Sequence, residues 1–198
     1  MKQPVVVFLT AALILPLFLG GCARKVAYGD AQAVETVTTD FGSTDLQMIA
    51  EKMVDSLLQS AVITGASERL VLIVKGVENR TTEHLDTRLI TDKIRTQLLK
   101  SGQVRFAAMG PESQAAVEQL KYQQSGLVNP ASAKSLGKMV GADYMLIGNI
   151  KSIVKQAGRR QDVYYQFTLN LMDIETGLLD WADEREIRKT ASRPVVGW

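Results

Sequence analysis

One cysteine in 198 residues sets the terms on which this chain can fold. Cys22 has no second thiol to pair with, so no intramolecular disulfide can staple the chain, and no multi-thiolate metal site can be built. The fold must rest on buried apolar surface and on satisfied hydrogen bonds. The composition supplies the material, since 46% of residues are hydrophobic and 22% charged, the balance of an ordinary globular domain.

The cysteine also closes an N-terminal segment laid out like an export signal. Lys2 is the only charge before Cys22, and Val5 to Leu19 is a 15-residue apolar run. That is shorter than the roughly 17–25 residues a helix needs to cross a bilayer. Leu19, Gly20 and Gly21 then lead into Cys22 in a pattern that resembles a bacterial lipobox. The two glycines leave room for a peptidase at the scissile bond, and the thiol is the atom that would carry diacylglycerol. Residues 1–21 are therefore expected to be a lipoprotein signal peptide, with Cys22 lipidated. Ala23 stands where an aspartate would be the usual inner-membrane retention signal, so the expected destination is the outer membrane, with the domain in the periplasm.

Cleavage before Cys22 leaves 177 residues with 22 basic and 21 acidic side chains, a net +1. So small a charge gives nucleic acid no field to follow. Residues 22–43 are small, polar and without sustained period, and read as a lipidated tether. The 21 residues after Cys22 reach at most about 70–75 Å when fully extended.

Beyond the tether the periodicity changes repeatedly. Thr44 with Gln47 three residues on reads as a capping box. Ile49, Met53 and Leu57 then recur at helical spacing to about Ala61. Leu70 to Val74 is a short β-branched run suited to a strand buried on both faces. A polar turn over Glu78–His84 precedes a second helix from about Asp86 to Lys100, with Ile90, Ile94 and Leu98 on one stripe and Gly102 as its stop. Val104 to Met109 reads as a strand. Pro111 opens a helix to about Gln124 with Ala115, Val117 and Leu120 available for burial, and Asn129-Pro130 opens a short one through Val140. From Tyr144 the chain is β. Val163, Tyr165, Phe167, Leu169 and Leu171 alternate cleanly with Tyr164, Gln166, Thr168 and Asn170. Gly177 suits the positive φ of a hairpin loop, and Leu178 to Ile187 reads as a charged outer strand.

This order predicts an α/β (α+β) domain over residues 44–190: a mixed β-sheet with helices mainly on one face, closed by a three-strand antiparallel meander. Residues 191–198 are left as a C-terminal tail. The domain is expected to be a monomer that needs no metal or other cofactor.

No catalytic constellation stands out. His84, the only histidine, sits in a polar loop without a second nitrogen or thiolate ligand nearby in sequence. Gly137-Lys138 resembles the end of a phosphate loop, but Met139 replaces the magnesium-binding hydroxyl. No G-x-S-x-G elbow occurs. Acidic residues are scattered through turns and the outer strand instead of paired. Lys151, Lys155, Arg159 and Arg160 gather at one hairpin end, where solvation is the ordinary reading and an anionic partner the functional one. The polar face bearing Tyr164 and Gln166 is the candidate partner-binding surface, since an aromatic beside an amide is a common interface anchor.

Several ordered blocks carry a family likeness. They are Val77–Thr81 (VENRT), Asp92–Gly102 (DKIRTQLLKSG) leading into Val104-Arg105-Phe106, Val140–Leu146 (VGADYML) and Leu169–Trp181 (LNLMDIETGLLDW). In order and spacing they resemble the LpoB-type outer-membrane lipoproteins that activate penicillin-binding proteins. CsgG-type curli secretion lipoproteins and the amino-terminal domain of the Tol-system propeller protein look similar in this part. The resemblance implies a non-enzymatic regulator, anchored in the outer membrane, that binds and stimulates a bifunctional class A penicillin-binding protein. The chain departs from the best-known relatives in having a short tether without proline. Two other readings are an envelope-assembly or secretion accessory of the CsgG-like superfamily, and a periplasmic enzyme; the missing constellations disfavour the enzyme. If Cys22 is the lipid carrier, Cys22→Ser should leave a precursor that takes up no labelled palmitate and no longer fractionates with the outer membrane.

Overall fold

The computed structural model describes residues 27–134 and 139–192. The chain divides into two units, Met1–Asp30 and Ala31–Trp198. In the first, residues 27–30 are irregular and exposed. Leu19, Gly20, Gly21 and Cys22 lie outside the described residues, as do Gly137-Lys138 and residues 193–198. The second unit carries the elements α1 (Ser43–Leu58), α2 (Ala61–Thr64), β1 (Val71–Arg80), α3 (Arg88–Ser101), β2 (Arg105–Phe106), α4 (Pro111–Gln123), β3 (Tyr144–Ala157), β4 (Arg160–Asp173) and β5 (Leu179–Ser192).

The five strands form one sheet in the order β2-β1-β3-β4-β5. β1 runs parallel to both β2 and β3. β3, β4 and β5 follow as antiparallel neighbours, the expected meander. The α+β class and the mixed sheet thus stand as the hydrophobic pattern implied. In β4, Val163, Tyr165, Phe167, Leu169 and Leu171 are all buried, while the residues between them are only partly so. A strand with this period can bury one face only. Helices α1 and α3 cover that face, with Ile49, Met53 and Leu57 from one and Ile90, Ile94 and Leu98 from the other joining the same core as β4, Leu146, Ile150 and Leu72. On β3, Gly148 is crowded by its two neighbouring strands. A Cβ there would stand 3.1 Å from the Thr168 carbonyl oxygen and 3.1 Å from Val77. Gly177 takes φ 73° in the β4–β5 loop, where Asp173 receives the amides of Thr176 and Gly177 at 2.8 and 2.9 Å.

Several boundaries differ from the sequence reading, each for a local reason. α1 opens at Ser43, with Gly42 as its cap residue, because the Asp45 carboxylate reaches back to accept from the Gly42 amide at 2.8 Å. Thr44 and Gln47, the expected box, hold the preceding chain instead: Thr44 Oγ1 accepts from the Glu35 amide at 2.8 Å and Gln47 donates to the Ala31 carbonyl at 2.6 Å. Residues 31–43, read as tether, accordingly lie within the folded unit. β1 continues to Arg80, through part of the expected turn, because Glu78–Arg80 find ladder partners at Asn149–Lys151. β2 is only two residues long: it pairs Val71 with Arg105 and Leu72 with Phe106, and its last ladder bond is the Ala107 amide on the Leu72 carbonyl, after which the chain leaves the sheet.

α4 buries no side chain fully; Val117 and Leu120 are half-buried and Ala115 is exposed, too little apolar surface on one stripe to dock. The helix expected from Pro130 to Val140 is a single turn in its described part. There the Asn129 side chain accepts from the Ala131 amide and its carbonyl from Ser132 and Ala133, after which residues 139–140 are irregular. Phe167 is fully buried at the centre of the core, so Phe167→Ala should cost about 3–5 kcal/mol in a denaturant melt.

Candidate protein-interaction surface

The sheet face turned away from α1 and α3 is built from the other half of the same alternation. On β4 it carries Asp162, Tyr164, Gln166, Thr168 and Asn170, all partly buried between β3 and β5. Three of these reach diagonally to β5 with one common slant. Arg188 donates through Nε to Asp162 at 3.0 Å, Tyr164 donates its hydroxyl to Glu186 at 2.5 Å, and Gln166 donates to Glu184 at 2.8 Å. In the ladder each of these β5 residues stands opposite the next even-numbered residue along β4, so every contact is an i, j±2 diagonal pair. The Glu186 hydrogen bond, with some desolvation, raises the Tyr164 phenol above its ordinary pKa. The Arg188 hydrogen bond lowers the Asp162 carboxyl.

On the β3 side, Lys151, Ile153 and Lys155 stand opposite Gln166, Tyr164 and Asp162. Ile153 is 56% exposed, an unusual place for a β-branched apolar side chain in the middle of a strand. Together with Arg80, Lys151, Tyr164 and Gln166 it lines a groove of about 320 Å³. Arg80 is tied to Glu78 at 2.7 Å. Among the described residues, Lys151, Lys155, Arg159 and Arg160 take part in no close ion pair, although Lys151 and Lys155 help to lower the carboxyls of Glu78 and Asp162 from a distance, so this end of the face is basic. The two candidate contact residues therefore share one groove with an apolar floor and a basic rim.

Other residues singled out in the sequence do not converge on a site. His84 is exposed in the loop before α3. Its neighbour Asp86 is bound by Arg88 through two side-chain hydrogen bonds of 2.9 Å, which lower the carboxyl's pKa. Among the described residues no group of three or more His, Cys, Asp or Glu side chains could hold a metal ion.

Sequence reasoning missed two polar clusters on the inner side. Tyr165 is fully buried, and its hydroxyl donates to the Glu83 carboxylate and also lies 3.1 Å from the Thr39 carbonyl. Burial, reinforced by Glu83, raises this phenol far above its ordinary pKa. Asp45, 3% exposed, pairs with Lys189 at 2.9 Å, and Lys189 also donates to the Asp40 carbonyl at 2.6 Å. One signal was available: a tyrosine within a buried row must find a partner for its hydroxyl.

The domain is thus of the α+β class, with one helix-covered face and one open, polar, grooved face. The family model for peptidoglycan-synthase activator LpoB matches residues 45–187, from the first turn of α1 into β5. The chain belongs to the LpoB family. Similar solved structures include the C-terminal domain of LpoB from Salmonella enterica, 24% identical over 72% of this chain and 98% of that one, with a TM-score of 0.42. The same domain from Escherichia coli is 20% identical over the same shares, with a TM-score of 0.45. A lipoprotein from Neisseria meningitidis is 16% identical over 64% of this chain and 88% of that one, with a TM-score of 0.40. A search of curated proteins gives no match.

At the other end of the sheet, the Tyr144 hydroxyl donates to Asp180 at 2.9 Å, and that bond, with desolvation, pushes its pKa up to about 12. A raised folded-state pKa means that this contribution to stability is complete below pH 10 and is lost as pH climbs through about 12. Spectrophotometric titration of the folded protein should show this phenol ionising late, and Asp180→Asn should return it towards 10.

Proposed function

We propose that the chain is a non-enzymatic, lipid-anchored outer-membrane regulator that binds a bifunctional class A penicillin-binding protein and stimulates its peptidoglycan synthesis. Membership of the peptidoglycan-synthase activator family over residues 45–187 carries this reading. Stimulation without chemistry requires only a surface whose affinity differs between states of the synthase. In this reading Cys22 carries the anchor, after removal of residues 1–21 by a peptidase that recognises Leu19, Gly20 and Gly21. No helix among the described residues is long and apolar enough to cross a membrane. The domain acts as a monomer, without cofactor.

We place the contact on the open face, centred on Tyr164 and Gln166. Both side chains are held in position by β5 acids, so little conformational entropy remains to be lost on docking. The exposed Ile153 beside them supplies apolar area, and the basic rim supplies orientation.

The test uses the purified protein with the class A synthases of its own organism. Binding and a raised rate of glycan polymerisation are the expected outcome. Tyr164→Ala combined with Gln166→Ala should weaken binding by about 1.4 kcal/mol or more, roughly tenfold, with an unchanged melting profile. Neither binding nor stimulation by the unaltered protein would remove the activator reading in favour of an envelope-assembly or secretion role.

A further inference from the structure

The domain contains a built site for an irregular, bent segment, and its occupant is the chain's own residues 31–42. At the inner end, Glu83 accepts from the Phe41 amide at 2.9 Å, while the buried Tyr165 hydroxyl approaches the Thr39 carbonyl two residues earlier. The Phe41 ring meets the Tyr165 ring edge-on, with centroids 5.8 Å apart and planes at 71°. Thr39 is 6% exposed, buried like a core residue. At the outer end the segment runs back along α1. Glu35 accepts from the Ser43 amide at 2.8 Å, its own amide donates to Thr44, and Gln47 reaches the Ala31 carbonyl.

None of residues 31–42 belongs to a helix or strand. The segment is held mainly by side chains: a handful of hydrogen bonds, among them Lys189 on the Asp40 carbonyl, and one aromatic ring, each of modest net worth, with Gly42 joined to α1 by the Leu46 amide on its carbonyl. Its bonds to α1 follow one another, Ala31 to Gln47 and then Glu35 to Ser43 and Thr44. Together with the Phe41 notch these contacts are few enough to open as one unit while the core stays closed. Local openings of this kind need far less free energy than global unfolding.

We infer that residues 31–42 are a releasable strap, and that docking and release of Thr39–Phe41 at the Glu83–Tyr165 notch give the upstream leash two lengths. With the strap docked, Cys22 to Ala31 spans at most about 30–32 Å; releasing twelve more residues adds at most about 40–43 Å. The consequence for membrane reach rests on the lipid-anchor reading. The docking itself does not.

Residue-resolved hydrogen–deuterium exchange on the full chain in low denaturant tests the strap directly. The amides of Glu35 and Phe41 should be protected, yet exchange together at least tenfold faster than those of Phe167 and Leu169. Phe41→Ala should raise exchange at Glu35 by tenfold or more and leave Phe167 unchanged. Gln47→Ala, a change at an exposed contact that the core does not depend on, should raise exchange at Glu35 as well. The strap is refuted if its amides exchange at free-chain rates, or if they open only with the core. An unaltered Glu35 rate in Phe41→Ala would refute it too, because the segment would then not move as one unit. These outcomes involve no synthase and no lipid, so they stand apart from the fate of the activator reading.

Discussion

The burial of every second residue in β4 is the constraint on which the rest of this domain depends. Five consecutive odd-numbered side chains, Val163 to Leu171, are out of water. At about 25 cal/mol per Å² of apolar area, such a row dominates the local energetics. It decides where α1 and α3 lie, and it forbids helices of similar weight on the other face, where the even-numbered residues are polar. It also creates a difficulty. Tyr165 brings one hydroxyl into the apolar layer, and an unpaired buried hydroxyl costs on the order of 1–3 kcal/mol. The fold meets this by drawing Glu83 from the β1–α3 loop and Thr39 from the N-terminal segment to the same point.

The adjacent tyrosines show why a surface is harder to read than a core. Tyr164 and Tyr165 are chemically identical, and only the parity of their position separates them. One becomes a core residue whose phenol is raised above its ordinary pKa by burial; the other lines an open groove and hydrogen-bonds Glu186. Parity was visible in the sequence. The groove was not, because it needs Arg80 from β1 and Lys151 and Ile153 from β3 beside Tyr164 and Gln166 from β4. The basic cluster at the hairpin end was visible as charge, but that its lysines stand beside the groove, near Glu78 and Asp162, became apparent only with the neighbouring strands in place.

Much of the fold was legible for the same reason. The stripes of α1 and α3, the β4 alternation and the Gly177 turn are local patterns whose period alone fixes the burial direction. What could not be read locally was decided by distant partners. β1 extends to Arg80 because β3 lies alongside it, whereas β2 keeps only the two residues that pair with Val71 and Leu72. Asn129-Pro130 has the chemistry of a helix start, yet it forms a turn, and α4 before it carries too few apolar residues to dock firmly. Residues 31–43 looked like tether because their polar side chains have no period. Their order comes from contacts with Ser43, Gln47, Glu83 and Lys189, which periodicity does not register.

The parallel pairing of β1 with β3 has a kinetic consequence. Leu72 lies beside Tyr144, so the centre of the sheet joins residues 72 positions apart, across α3, β2 and α4. Closing so long a loop comes before any reward from the ladder, which slows folding relative to a sheet built from hairpins alone. The meander β3–β4–β5 is local and can form early, but the apolar face it presents stays uncovered until the first half of the chain folds over it. During synthesis from the N-terminus, α1, β1 and α3 emerge without the strands they pack on. The apolar core around β4 therefore cannot close until the last third of the chain has been made.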